Sequence, residues 1–163
     1  MKIRLICVGK TDFSFVEEGM DLYANRLKHY CKLSQVFIPA LKGASSLSKD
    51  QIKEKEGELI LKEIGVSKGK PSGKIVVLLD ERGERFSSRQ WATRLEKDAS
   101  SEKEMCFVIG GAYGFSEDVY NCANSLLSLS SMTFSHQIVR LLFMEQLYRA
   151  MTIIKGEPYH HES

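Results

Sequence analysis

Short runs of nearly continuous apolar residues alternate with helical segments along this chain, and few architectures accommodate that alternation. Runs of this length, without polar alternation, are typical of strands covered on both faces, as in parallel sheets. We therefore predict an α/β fold in which a mostly parallel sheet is covered by helices on both faces. The strand-like runs are Lys2–Val8, Lys32–Ile38, Ile75–Leu79 and Met105–Ile109, with a weaker apolar stretch at Leu126–Leu129.

The segments between these runs carry helix signals, namely apolar residues spaced by three and four and serines at capping positions. The predicted helices are Phe13–His29, about 15 residues after Ser48, Ser87 to about Ala99, Ser116 to about Asn124, and about His136 to Lys155. In the second helix, the charged run KEKEGE is interpreted as a solvated surface. The last helix is apolar on most sides, which indicates either a central core helix or half of a homodimer interface.

Composition places the chain among ordinary globular proteins. With 163 residues, of which 43% are hydrophobic and 27% charged, we expect a single domain over residues 1–163. No stretch approaches the ~20 apolar residues that cross a bilayer, and no signal-peptide pattern opens the chain, so we expect a cytoplasmic protein. The four cysteines lack metal-ligand spacing, so we expect no metal, and Cys7 and Cys106, which lie inside apolar runs, are expected to be core thiols. A net charge of +2 neither requires nor excludes a nucleic-acid partner.

Three segments follow predicted strands at the edge where parallel sheets bind ligands: Leu79–Gly83, Gly110–Phe115 and Ser130–His136. The glycines in GGAYG allow backbone to approach a ligand closely, although a tight strand–helix turn explains them equally well. The sequence SSMTFS suits a purine held by backbone groups and apolar contact, but an ordinary helix-capping turn also accounts for it.

Basic, aromatic and imidazole groups cluster toward the C-terminus. His136 and Arg140 lie four residues apart and share a face of the predicted last helix, and the tail carries Tyr159 and His160. Together such groups would bind a phosphate or a base. The alternative is a structural role, in which His136 only caps the helix.

Several stretches resemble one family along the whole chain: VGK, KEKEGE, VVLLDERGE, FVIGGAYGF and SLSSMTFSHQIVRLLFMEQLYRAMTIIKGEPYH. On these stretches the chain resembles the RlmH family, the ribosomal RNA large subunit methyltransferases H of the SPOUT superfamily. The resemblance implies a SPOUT-type fold with a C-terminal trefoil knot and a homodimer. It also implies S-adenosyl-L-methionine-dependent methylation of N3 of a pseudouridine in 23S ribosomal RNA, on assembled ribosomes.

The resemblance also implies which residues hold the cofactor. Those residues are Leu79, Gly111, Ser130, Ser131, Met132, Thr133, Phe134 and Ser135. The family normally has proline where this chain has Ser135, and proline would fix φ. We therefore expect a less pre-organised loop and somewhat weaker cofactor affinity.

The catalytic roles are hypotheses built on the same match. Arg140 would stabilise the anion that develops on the base, so its replacement by alanine would slow methylation and leave cofactor binding nearly intact. His136 or His160 would position the base or relay its proton, and Tyr159 would stack on a base.

Two other functions compete with this hypothesis. A nucleotide-dependent oxidoreductase lacks its glycine fingerprint here. A catalytically silent ribosome-associated binding protein on the same fold gains slight support from Ser135, and the intact His136, Arg140 and PYH tail argue against it.

Overall fold

A computed structural model describes residues 1–161 and contains a five-stranded parallel sheet. The strands are β1 (Lys2–Val8), β2 (Lys32–Ile38), β3 (Lys74–Arg85), β4 (Glu104–Ile109) and β5 (Ser125–Ser128). They are arranged in the order β2-β1-β4-β3-β5, and every neighbouring pair is parallel. The predicted mostly parallel sheet is confirmed.

Helices cover both faces of this sheet. The helices are α1 (Ser14–Leu27), α2 (Lys49–Ile64), α3 (Ser88–Ala99), α4 (Glu117–Cys122) and α5 (Ile138–Lys155), with a short 3-10 turn at Ala44–Ser46. Helices α1, α3 and α5 share one apolar core with the sheet, and α2 and α4 share the other. The predicted α/β arrangement is therefore confirmed, with α5 packed between α1 and α3.

Strand β3 is longer than its apolar run predicted. The sequence analysis ended this strand at Leu79 and assigned Leu79–Gly83 to a loop, whereas the strand continues to Arg85. Leu127 of β5 is the register partner of both Leu79 and Glu84, with an irregularity between them. The polar end of β3 is therefore extended because it pairs with β5, a tertiary contact that local polarity does not reveal.

Gly83 lies where β3 passes closest to β5. A Cβ atom on Gly83 would lie 2.6 Å from the carbonyl carbon of Leu126 and 2.7 Å from backbone atoms of Leu127. Since those neighbours are backbone atoms, no side-chain movement would relieve the clash. Strands β3 and β5 therefore approach each other backbone to backbone at this position.

The cysteines belong to the two cores. Cys7 and Cys106 are fully buried, and all four cysteines are free thiols. Burial raises the pKa of the Cys7 and Cys106 thiols to about 12, so both stay protonated at neutral pH. None of the helices in the described part of the chain has the length and apolar character needed to cross a membrane.

Candidate functional site

One cavity of about 660 Å³ opens at the carboxyl edge of the sheet, and all three segments singled out in the sequence line it. Its volume lies in the range typical of small-molecule sites. The predicted residues that line it are Leu79, Gly111, Ser130, Met132, Thr133, Phe134, Ser135 and His136. Ser131, Arg140, Tyr159 and His160 are not among the lining residues.

The loop after β5 is held in shape by its own hydroxyl groups. Ser128 Oγ donates to the carbonyl of Ser130 (2.7 Å), and Ser130 Oγ accepts from the N–H of Met132 (3.0 Å). Thr133 Oγ1 donates to Glu81 Oε2 (2.8 Å), which ties the loop to the extension of β3. These hydroxyls therefore fix the shape of the cavity wall. The backbone groups and apolar side chains of the loop remain available to contact a ligand.

Ser135, the departure from the family pattern, caps the start of α5. Its Oγ accepts a hydrogen bond from the N–H of Ile138 (3.1 Å), the first residue of the helix. Its carbonyl accepts from the N–H of Val139 (3.2 Å). Serine thus satisfies a helix N–H that proline would leave without a side-chain acceptor.

The residues after Ser135 attach α5 to the end of β1. His136 is half-buried and faces the cavity. The next residue, Gln137, is buried, donates from Nε2 to the carbonyl of Lys10 (3.1 Å) and accepts from the N–H of Asp12 (2.9 Å). These contacts fix the backbone from which the His136 side chain projects.

Arg140 turns away from the cavity. It is completely buried, and its guanidinium donates to the carbonyls of Val8 (2.7 Å) and Gly9 (3.0 Å) and to Thr11 Oγ1 (3.0 Å). Its Nε donates to the carbonyl of His136 (3.1 Å). The expected placement of this charge beside a reacting base is therefore not what the structure shows, because the acceptors at the end of β1 hold the guanidinium there.

The tail residues also lie away from the cavity of their own chain. The hydroxyl of Tyr159 donates to Glu145 Oε1 (3.2 Å), and Arg149 Nη1 lies 3.2 Å from His160 Nδ1. Glu145 and Arg149 follow His136 by nine and thirteen residues in the sequence. At about 1.5 Å per helical residue these contacts lie roughly 14 and 20 Å along the helix axis from His136.

The cavity wall holds a polar cluster whose residues were not predicted as site residues. Asp80, Arg82 and Tyr120 line the cavity, where Asp80 accepts from the hydroxyl of Tyr120 and from the N–H of Arg82 (2.8 Å). Burial opposes ionisation of Asp80, but these hydrogen bonds outweigh it and hold the pKa of the carboxyl below its ordinary value. The DERG sequence directly after a buried strand was the available signal.

Glu56 of α2 lies directly behind the glycine loop. A Cβ atom on Gly111 would lie 2.8 Å from both carboxylate oxygens of Glu56. Glu56 Oε1 is buried and has no hydrogen-bond partner within residues 1–161, and burial raises the pKa of this carboxyl. The interpretation of KEKEGE as solvated surface is therefore wrong for Glu56, and also for Gly57, which is buried.

No group of three or more His, Cys, Asp and Glu side chains in residues 1–161 is arranged to hold a metal ion. An unpaired buried polar atom costs about 1–3 kcal/mol, and more when it is charged. Glu56 Oε1 carries this cost, and Glu56 is not among the residues that line the cavity.

Comparison with known proteins identifies relatives over the full length of the chain. The profile of a family described as "Predicted SPOUT methyltransferase" matches residues 1–160. A protein from Parabacteroides distasonis named ribosomal RNA large subunit methyltransferase H is 52% identical over 163 residues, covering 99% of this chain and 100% of the relative. A protein of the same name from Christiangramia forsetii is 51% identical over 162 residues, covering 99% of both chains.

Among solved structures, a probable methylase family protein from Haemophilus influenzae Rd KW20 aligns with a TM-score of 0.51 at 13% identity, over 99% of this chain and 70% of that chain. At this identity the likeness concerns the fold alone. From the full-length match and the relatives at about half identity, the chain belongs to the SPOUT methyltransferases, and within them to the ribosomal RNA large subunit methyltransferase H family.

Proposed function

We propose that this protein binds S-adenosyl-L-methionine in the cavity and methylates N3 of a pseudouridine in 23S ribosomal RNA of assembled ribosomes in the cytoplasm. The observation that carries the proposal is the cavity itself, lined by the three segments at the carboxyl edge of a SPOUT sheet. The names of the curated relatives support ribosomal RNA of the large subunit as the substrate. The target atom follows from the family resemblance.

The residues of the cavity fit this cofactor. Leu79, Leu127 and Phe134 offer apolar surface for an adenine ring, next to the backbone of residues 130–135. Two carboxylates and two basic groups also line the cavity, those of Asp80, Glu81, Lys53 and Arg82. These features suit S-adenosyl-L-methionine, which combines an adenine ring with charged groups of both signs.

When bound, S-adenosyl-L-methionine supplies an electrophilic methyl group on a sulfonium. The main task of the protein is to align this group with N3 of the base, which loses its proton as the new N–C bond forms. His136 lies in the cavity wall on a backbone fixed by Gln137 and Arg140. We assign to its imidazole the positioning of the base and the removal of the N3 proton.

Arg140 acts in this proposal as a positioning residue. Its four hydrogen bonds join the first turn of α5 to the end of β1 and hold the carbonyl of His136. It therefore acts on the base through His136 and not through its own charge.

Tyr159 and His160 would serve the site of a partner copy. Within one chain they lie too far along α5 to reach the cavity, so a contribution to catalysis requires a homodimer in which the two α5 helices run in opposite directions. Partly exposed apolar residues on α5 support such an interface, as do Phe13 and Phe15, which are 51% and 60% exposed at the start of α1, a helix that packs against α5. The half-exposed apolar residues of α5 include Ile138, Val139, Leu141, Leu142, Ile153 and Ile154.

The direct test is transfer of a radiolabelled methyl group from S-adenosyl-L-methionine to ribosomes that lack the modification, followed by mass spectrometry of nuclease fragments. We expect one labelled pseudouridine in 23S ribosomal RNA, methylated at N3. Calorimetric binding of the cofactor without transfer would favour the silent binding protein, for which the replacement at Ser135 is the only sequence support. Transfer to another nucleotide would contradict the proposed target and retain the class of enzyme.

A further inference from the structure

Tyr113 is an exposed aromatic residue at the mouth of the cavity. It belongs to the glycine loop between β4 and α4, lines the cavity and is 46% exposed. Within residues 1–161 its hydroxyl makes no hydrogen bond and its ring contacts no other aromatic ring. The ring therefore has both surface and a hydroxyl available to a ligand.

A tight turn holds Tyr113 at the tip of this loop. The N–H of Gly114 donates to the carbonyl of Gly111 (3.3 Å), which closes the turn, and Gly114 has a φ of +84°. Glycine adopts this φ without the strain that a side chain would cause. Phe115, the residue after the turn, is buried in the core that α2 and α4 share and anchors the loop. The backbone therefore fixes the place of the Tyr113 ring without help from a ligand.

A lysine side chain lies beside the ring. The ammonium of Lys49, the first residue of α2, is 5.5 Å from the centroid of the Tyr113 ring, where a cation is attracted to the ring face. Lys49 has no acidic partner in residues 1–161, whereas Lys53, one helical turn later, pairs with Asp50 (3.3 Å). The Tyr113 ring therefore lies next to a positive charge that no carboxylate of the described chain neutralises.

The chemistry of an RNA substrate matches this ring and its lysine. N3 of a pseudouridine lies on the Watson–Crick edge, so the base has to be unpaired when it is methylated. Unpaired RNA bases stack on aromatic side chains, and basic side chains follow the phosphates that link them. Leu127, which contacts the adenine in the proposed function, is buried in the cavity wall, whereas Tyr113 lies on the solvent side, from which RNA enters.

We propose that Tyr113 stacks on an unpaired base of the ribosomal RNA at the mouth of the cavity, with Lys49 beside an adjoining phosphate, an inference that rests on the proposed function. In this role Tyr113 binds the substrate and not the cofactor. Stacking that is equally strong before and during methyl transfer lowers the KM for ribosomes and leaves kcat unchanged. The competing partner is the adenine of the cofactor, because it is also a flat base that enters this cavity.

Methyl-transfer kinetics on ribosomes that lack the modification test this role. Tyr113→Ala removes the ring, Tyr113→Phe keeps the ring and removes the hydroxyl, and Lys49→Gln removes the charge. Lys70→Gln is the matched control for Lys49→Gln, because Lys70 is an exposed lysine between α2 and β3 that does not line the cavity. Calorimetric titration of each protein with S-adenosylhomocysteine measures cofactor affinity separately, and thermal unfolding measures stability.

We expect Tyr113→Ala to raise the KM for ribosomes by roughly fivefold to a hundredfold, the range for loss of one base–aromatic stack, with kcat changed less than about twofold. Tyr113→Phe should keep the KM of the unmodified protein. Lys49→Gln should raise the KM by a smaller factor and reduce its dependence on salt concentration, and Lys70→Gln should do neither. All four variants should keep the melting temperature and the affinity for S-adenosylhomocysteine, because none of the replaced side chains is buried.

An unchanged KM in Tyr113→Ala would overturn the inference. Loss of affinity for S-adenosylhomocysteine by the same factor as the rise in KM would also overturn it, and would assign the ring to the adenine of the cofactor. A KM as high in Tyr113→Phe as in Tyr113→Ala would contradict stacking and assign the role to the hydroxyl. If the unmodified protein transfers no methyl group to ribosomes, the proposed function fails and this inference fails with it, whereas a result confined to the Tyr113 variants concerns Tyr113 alone.

Discussion

Hydrogen-bond acceptors at the end of β1 fix the position of the Arg140 guanidinium. The guanidinium is surrounded by the carbonyls of Val8 and Gly9 and the hydroxyl of Thr11, and the side chain has no exposed surface. His136, one helical turn earlier, faces the cavity instead. The two residues were predicted to share a face of the last helix, but α5 begins at Ile138, and only His136 is placed to touch a ligand.

The change Arg140→Ala should therefore act on stability and binding together. It would remove the donor to the buried carbonyl of Val8 and to the partly buried carbonyls of Gly9 and His136, and it would empty a fully buried side-chain position. We therefore expect a loss of about 3 kcal/mol or more in the free energy of unfolding. Because His136 and the loop before it lose their attachment to β1, affinity for S-adenosyl-L-methionine should fall along with methyl transfer. Urea denaturation and calorimetric titration measure the two effects.

Arg85→Ala provides the control for this experiment, because Arg85 is an exposed arginine on β3 that does not line the cavity. It should change the free energy of unfolding by less than about 0.5 kcal/mol. An Arg140→Ala protein that stays stable and binds the cofactor normally, but transfers no methyl groups, would contradict the positioning role. That result would assign the guanidinium a direct catalytic role.

Some residues of the site were predictable from the sequence, and others were not. The family resemblance indicated Leu79, Gly111 and the loop after β5, and these line the cavity apart from Ser131. The direction of the Arg140 side chain was not predictable, since its acceptors lie more than 120 residues away in the sequence. Glu56 belongs to a charged run that predicts solvated surface. Its carboxylate is partly buried because it lies against Gly111, and the two residues meet only in the folded chain.

At the level of elements, the start of α5 links stability to the cavity. Ser135 caps this helix through Ile138 and also lines the cavity, so one side chain serves the helix and the site. The proline of the family would restrict the backbone at this position and offer no such acceptor. The serine therefore orders this segment through a side-chain hydrogen bond, whereas proline would order it by fixing φ.

Ser135→Ala should remove the cap and lower the free energy of unfolding by about 1 kcal/mol. It should also weaken cofactor binding, because the loop next to His136 loses an anchor, whereas Ser135→Pro should bind the cofactor more tightly than the unmodified protein. Calorimetric titration of the three proteins measures this order.

Ser87→Ala is the matched control for Ser135→Ala. Ser87 Oγ accepts from the N–H of Gln90 (3.2 Å) at the start of α3 and does not line the cavity. It should cost similar stability and leave cofactor affinity unchanged. Equal cofactor affinities in the two alanine variants would contradict a link between the α5 cap and the site.

Elements with strong local signals were predictable, and those formed by distant pairing were not. The capping boxes at Ser48 and Ser87 set the starts of α2 and α3 as expected. The end of β3 was misjudged because Asp80–Arg85 is polar and becomes a strand only by pairing with β5. Sheet pairing of this kind depends on chain topology and not on local propensity.

For the whole molecule, the pairing of β3 with β5 connects the fold with the cavity. Leu79 and Asp80 of β3 line the cavity together with Leu127 and Ser128 of β5. The site is therefore formed only when the two segments are assembled. Neither strand forms the cavity without the other.

Gly83→Ala tests this close pairing of β3 with β5. A methyl group there would meet the backbone of β5, so we expect a loss of about 3 kcal/mol or more of stability, measured by thermal unfolding, and loss of cofactor binding. Gly19→Ala is the control, because its methyl group would meet only the flexible end of Leu141, and alanine favours the helix around it. Equal stability of the two variants would contradict a close backbone approach at Gly83.

The proposed cofactor site is tested most directly by a crystal structure of the protein grown with S-adenosylhomocysteine. We expect ligand density in the cavity, in contact with Leu79, Gly111 and the loop of residues 130–135. Ligand density elsewhere on the protein, with this cavity empty, would contradict the proposed site.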